Sequence, residues 1–241
     1  MTVLTSLAAR LRTARLYLCT DARQRQGDLA EFLTAAVAGG VDVVQIRQPH
    51  LSRSEQLAAL EVAREVARTR QVVVAVDEDP SVAEAFAADM LHLGHRGSAR
   101  RARKHMHEWA LLGRSASTPD EVDAALADRH VDYVSVGPVR ATPSAPGHPA
   151  VGLDLVRHAA RVAPVADLDA TPWFAVGGID LDTVDDVLEA GARRVVVVRA
   201  ITEADDPQAA AATLKDRLRT AWAADPALAS YALRAARSGL T

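Results

Sequence analysis

One local pattern, repeated along the chain, limits the fold more than anything else in the sequence. Segments such as "FLTAAVAGGVDVVQI", "AEAFAADMLHL", "AALADRHVDYVSV" and "VLEAGARRVVVV" each run from an Ala-rich stretch into a β-branched or apolar run. A short break of Gly, Ala, Asp or Arg separates the two parts. This reads as a helix end, a tight turn and a buried strand. The runs are apolar on consecutive residues rather than alternate ones, as expected of parallel strands covered on both faces.

Eight such runs are expected as strands: Leu16–Thr20, Asp42–Ile46, Val72–Val76, Met90–Leu93, Ala110–Arg114, Tyr133–Val136, Trp173–Val176 and Val195–Val198. Helical stretches lie between most of them. Eight β–α units in roughly 200 residues point to a single-domain α/β fold, a closed (β/α)8 TIM barrel. An open doubly wound sheet usually has fewer strands, and no GxGxxG follows the first run. The expected organisation is a helical extension over 1–14, the barrel over 15–220 and a helical tail over 221–241.

Composition excludes several classes of function. The net charge is −3, with no bulk basic excess to suggest a nucleic-acid or membrane partner. The N-terminal apolar residues are interrupted by arginines, so neither a signal peptide nor a membrane span is expected. The single cysteine, Cys19, rules out an intramolecular disulfide and fits a cytoplasmic location. A homo-oligomer is left open. At 49% hydrophobic and only 4% aromatic, the core must be built of Ala, Val and Leu.

In a barrel the chemistry sits at the carboxyl ends of the strands, so residues just after each run are the candidates. Gly177 and Gly178 follow the seventh run, and their amides could face an anion. A turn at Val198–Arg199 follows the eighth, and Asp205 or Asp206 with Pro207 starts a helix beyond it. Together these form the usual phosphate position of such barrels, a reading favoured here over a plain tight turn at the glycines. After the second run, Gln45 and Arg47 share strand parity and could both point into the mouth. Arg47 is a bidentate partner for phosphate or a rim salt bridge. After the third run, Asp77 and Glu78 could hold a hard cation, while Asp79 with Pro80 caps the next helix. His92, inside the fourth run, reads as a hydrogen-bonded core residue before a catalyst. Ser115 follows the fifth run. After the sixth comes a long loop within "GPVRATPSAPGHPAVGLDLV", with four prolines and three glycines in twenty residues.

The ordered motifs "LYLCTDAR", "VQIRQ", "ADMLHLG", "GRSAST", "DYVSVGPV", "PWFAVGGID" and "AGARRVVVVRAITEADDPQAAA" resemble the thiamine phosphate synthase family over about residues 15–215, closest to its actinobacterial members. The resemblance implies a (β/α)8 barrel that joins hydroxymethylpyrimidine pyrophosphate to thiazole phosphate with Mg²⁺, releasing pyrophosphate. It makes Arg47 and Ser115 the catalytic positions. It makes Gln45, Asp77, His92, Thr142, Pro143, Ser144, Gly177, Gly178, Val198 and Arg199 the substrate-binding positions. The metal position that remains is Glu78, a weak ligand on its own.

The departures from the family pattern converge on one substrate. The lysine of the proline-rich loop is Ala145, and the lysine after the second strand is Pro49. The family's "ND" is Asp77-Glu78, and its second metal carboxylate falls at Gly97. Two readings follow: a synthase with a rebuilt pyrophosphate site, or a catalytically degenerate paralogue that binds a thiazole phosphate or another small phosphate without transfer.

Overall fold

The computed structural model describes residues 6–143, 147 and 149–238. Eight parallel strands close into a barrel in sequence order. They are β1 (Leu16–Thr20), β2 (Val43–Ile46), β3 (Val73–Asp77), β4 (Met90–Leu93), β5 (Leu111–Ala116), β6 (Tyr133–Val136), β7 (Trp173–Val176) and β8 (Val195–Val197). β1 pairs with β2 at Tyr17↔Val43 and with β8 at Leu16↔Val195, which closes the ring.

The differences from the expected strands are small and have local causes. Asp42 drops out of β2 because its carboxylate turns back to accept the backbone N–H groups of Arg15 and Leu16, at 2.7 and 2.9 Å. β3 gains Asp77, which pairs with His92, and β5 gains Ser115 and Ala116, which pair with Ser135 and Val136. β8 ends before Val198, which turns into a one-turn helix over Arg199–Thr202.

The helices between strands start as the sequence suggests. Asp79 caps the helix Pro80–Phe86, Thr118 caps Pro119–Ala127 and Asp206 caps Pro207–Ala223. In each case a capping oxygen precedes a proline whose missing N–H costs nothing at that position. Ser52 and Glu55 form a reciprocal capping box ahead of Arg53–Arg68.

Strand parity splits the core in two. Leu16, Leu18, Val44, Ile46, Val74, Val76, Leu91 and Leu93 pack outward against the helices. Tyr17, Val43, Val73, Ala75, Met90, Leu111, Tyr133, Phe174 and Val196 fill the interior. The helix α1 (Leu7–Thr13) brings Leu11 against this inner set, with Ala14 just beyond it, at the amino end of the strands. Leu11 and Ala14 of that N-terminal stretch thus belong to the barrel core.

The tail is likewise built in. The last barrel helix, Pro207–Ala223, carries the buried Lys215, whose ammonium meets the Asp42 carboxylate. Beyond it, the helix Tyr231–Ser238 packs Tyr231 edge-on against Trp222, ring centroids 5.3 Å apart. The buried Arg194 donates to the Arg12 carbonyl at 2.8 Å and to the Tyr231 hydroxyl at 3.2 Å.

Asp42 satisfies two strand-end N–H groups and one buried ammonium. Removing it with Asp42→Ala strands all three, and should cost about 3 kcal/mol in urea unfolding. Asp42→Asn, which keeps an acceptor oxygen, should cost measurably less. Equal losses for the two variants would contradict this role.

Candidate active site

A cavity of about 360 Å³ opens at the carboxyl end of the strands, and every strand contributes to its lining. The expected site residues Gln45, Arg47, Asp77, Glu78, His92, Ser115, Thr142, Gly177, Gly178, Val198 and Arg199 all line it. Pro143 does not line this cavity, and Ser144 and Ala145 lie outside the described residues.

One wall is a continuous polar chain. The Ser115 hydroxyl and His92 Nε2 are 3.0 Å apart, and His92 Nδ1 is 3.0 Å from the Tyr133 hydroxyl. The Tyr133 and Tyr17 hydroxyls are 3.3 Å apart, and Tyr17 donates to Gln45 Oε1 at 2.8 Å. Gln45 Nε2 donates in turn to an Asp77 oxygen, and Arg47 Nε stands 3.6 Å from the other. Burial holds the His92 imidazole down to about 4, with the Arg47 charge acting in the same direction, so the ring is neutral at ordinary pH. His92 is thus both the hydrogen-bonded core residue that its apolar run suggests and part of the cavity wall.

Sequence reading missed Tyr17 and Tyr133, which join the two halves of this wall. Each lies on its strand at the parity of an identified residue: Tyr17 pairs across from Val43, two before Gln45, and Tyr133 pairs with Gly113, two before Ser115. A Cβ on Gly113 would sit 2.0 Å from the Tyr133 ring, so the glycine makes room for it. Treating the apolar runs as covered on both faces hid that parity signal. Cys19 also lines the cavity. Burial, reinforced by the Asp77 charge, pushes its thiol up to about 12, which leaves it a poor nucleophile.

The opposite wall is backbone. Gly177 has φ +103°, and a Cβ there would lie 2.4 Å from Pro138. The loop after β6 is strapped to this turn: Val139 N–H donates to the Val176 carbonyl at 2.8 Å and Arg140 N–H to the Gly177 carbonyl at 3.1 Å. Only glycine permits that approach. The strap carries the chain on to Thr142 at the cavity edge.

The carboxylates test the fit for Mg²⁺. Asp77 and Glu78 are adjacent and both reach the cavity, but Asp77 is already engaged by Gln45 and Arg47. Glu78 has φ +54°, a backbone region unfavourable for its side chain, and its carboxylate covers Gly94. Gly97 supplies no oxygen, and a Cβ there would point at Leu93 from 3.1 Å. Among the described residues no group of three His, Cys, Asp or Glu side chains could hold a metal. This donor set fits an Mg²⁺ that arrives with a diphosphate, which needs one or two protein oxygens. It does not fit a free-standing metal site.

Burial raises the Asp77 carboxyl to about 6; Arg47 pulls it down and Glu78 pushes it up. The folded state therefore binds this proton more tightly than the unfolded chain, where the carboxyl titrates near 3.8. Stability from this group is full below about pH 4 and is lost as pH rises through 6. Asp77→Asn should stabilise the fold by on the order of 2 kcal/mol at pH 8. The gain should vanish by pH 4, as read by denaturant melts at the two pH values. A gain that is equal at both would overturn the assignment.

Comparison with known proteins agrees with this geometry. A family model described as thiamine monophosphate synthase matches residues 16–201. The thiamine-phosphate synthase of Thermobifida fusca is 53% identical over 220 residues, covering 91% of this chain and 99% of its own. That of Streptomyces avermitilis is 52% identical over 213 residues, covering 88% and 97%. A solved thiamine phosphate pyrophosphorylase from Pyrococcus furiosus shares the barrel with a TM-score of 0.76 at 24% identity, covering 90% of this chain and 99% of its own. With a family model across most of the barrel and relatives half identical along nearly their whole length, the chain belongs to the thiamine monophosphate synthase family.

Proposed function

We propose that the protein joins hydroxymethylpyrimidine pyrophosphate to a thiazole phosphate, as a cytoplasmic enzyme of thiamine biosynthesis. The observation that carries this reading is the meeting, across one cavity, of two unlike walls. Gly177, Gly178 and the Val198–Arg199 turn offer backbone suited to a phosphate, and Gln45, Asp77, His92 and Ser115 offer side chains suited to a polar ring.

In the reaction the bond from the pyrimidine methylene carbon to the diphosphate oxygen breaks, and its electron pair leaves with the diphosphate. The lone pair of the thiazole nitrogen forms the new C–N bond. No side chain needs to bond covalently to either substrate. The protein holds the two rings in line and offsets charge on the leaving group. Arg47 stands at the wall where that charge would build. Bound Mg²⁺ would supply further positive charge there, with Glu78 as the available side-chain oxygen.

A second reading has its own observation. Among the described residues the cavity lining holds two arginines, Arg47 and Arg199, against four carboxylates, Asp77, Glu78, Asp180 and Glu203. Such a mouth repels a bare diphosphate and supports a protein that binds a small phosphate without transfer.

The test is an assay of thiamine phosphate and diphosphate release with both substrates and Mg²⁺. Turnover is expected, and Arg47→Ala should lower it by about 100-fold or more, as for loss of a preorganised charge partner. Chelating the metal should abolish it. Calorimetry with Mg²⁺ and no substrate should show only weak binding. If no product forms while thiazole phosphate still binds, the second reading replaces the first.

A further inference from the structure

The polar wall has a direction, and one residue sets it. Asp77 faces a donor on each side, Arg47 at 3.6 Å from one oxygen and Gln45 on the other, so the Gln45 amide turns its NH₂ toward Asp77 and its oxygen toward Tyr17. Tyr17 has one proton, and it goes to Gln45 at 2.8 Å. Across the 3.3 Å contact between the two tyrosines, the hydrogen must then come from Tyr133. Tyr133 has no proton left for His92, so the neutral imidazole carries its hydrogen on Nδ1 and donates it to Tyr133 at 3.0 Å. That leaves His92 Nε2 as an acceptor, and the Ser115 hydroxyl supplies its hydrogen at 3.0 Å. The opposite assignment would leave the Tyr17 and Tyr133 oxygens facing each other with no hydrogen between them. These groups are buried, where an unmatched polar contact is expensive.

We propose that Asp77 is a specificity-determining residue that fixes the hydrogen-bond polarity of this wall through Gln45, Tyr17, Tyr133 and His92, so that Ser115 shows the ligand a lone pair rather than a proton. The ligand group that Ser115 accepts is then an N–H or O–H donor on the bound ring; the ring itself rests on the proposed function, and the polarity does not. An amide at position 77 would do the reverse. Arg47 lies 3.6 Å from one Asp77 oxygen, so an asparagine would turn its own oxygen toward the guanidinium and its NH₂ toward Gln45. Gln45 would flip, Tyr17 would donate to Tyr133, Tyr133 to His92 Nδ1 and His92 Nε2 to Ser115. The serine would then offer its proton to the cavity. A single acid-to-amide exchange, five hydrogen bonds from Ser115, reverses what the ligand meets there.

The tautomer of His92 reports this directly in the ligand-free protein. The probe is long-range proton–nitrogen correlation NMR on ¹⁵N-histidine protein at pH 8, with the His92 signal identified by its loss in His92→Asn. Wild type should show a proton on Nδ1 and a bare Nε2. Asp77→Asn should move the proton to Nε2. Tyr17→Phe should do the same, because the Tyr133 proton then has only His92 Nδ1 to bond. In a Tyr133→Phe background, adding Asp77→Asn should leave the tautomer where Tyr133→Phe alone puts it. A wild-type proton on Nε2 would overturn the proposal even if every variant failed to fold. So would an unchanged tautomer in a folded Asp77→Asn or Tyr17→Phe protein. Absence of synthase turnover with the expected tautomers would count against the functional reading and leave this one standing.

Discussion

The barrel depends on how its first strand is fastened at the amino end, and Asp42 does most of that fastening. Its carboxylate holds the N–H groups of Arg15 and Leu16, its own N–H donates to the Leu16 carbonyl, and its carbonyl accepts from Val73. The Arg15 carbonyl in turn accepts from Val195 on the last strand. One residue therefore ties together the starts of β1, β2 and β3, and through Arg15 reaches the closing strand β8. Lys215 docks the final barrel helix on the same carboxylate. With β1 fixed in register, Tyr17 and Cys19 take their places under the cavity.

That fastening bears on the mouth because the polar wall tolerates little displacement. Its hydroxyl, imidazole and amide groups are linked end to end over contacts of 2.8 to 3.3 Å. Hydrogen bonds weaken steeply outside such distances. Burying Tyr17, Tyr133, His92 and Gln45 is affordable only while each finds its partner. The wall is thus as much a constraint on barrel register as a product of it. Its neutral histidine and its carboxyl that titrates near 6 are two results of the same desolvation, which disfavours charge of either sign.

Much of this was legible in the sequence. The eight apolar runs gave the strands to within one or two residues, and the residues at and just after their ends gave eleven of the positions that line the cavity. Those signals are local: a buried parallel strand must be apolar, and a barrel strand must end at the mouth. Tyr17 and Tyr133 were missed as site residues because their strand parity shows only once the register with Val43 and Gly113 is known, and the runs themselves are apolar on both faces. The use of Asp42 was hidden for another reason: its partners Arg15 and Lys215 are distant in sequence and meet it only when the ring closes. The pairing of Arg47 with Asp77 was half legible, since a rim salt bridge stood among the readings of Arg47. Its acid partner was read instead as a ligand for metal or substrate.

The fastening and the chemistry lie at opposite ends of the same strands. Asp42, Lys215, Arg194 and the Trp222–Tyr231 stack secure the amino end, while Arg47, Asp77, Glu78 and the glycine turns occupy the other. Free-energy effects at such separated positions are close to additive. Positions such as 49 and 97 are therefore open to drift: a lineage can exchange a lysine or a metal carboxylate there without spending the stability that keeps the ring closed. Such a barrel can outlive any one version of its chemistry, and inherits a ready scaffold for the next.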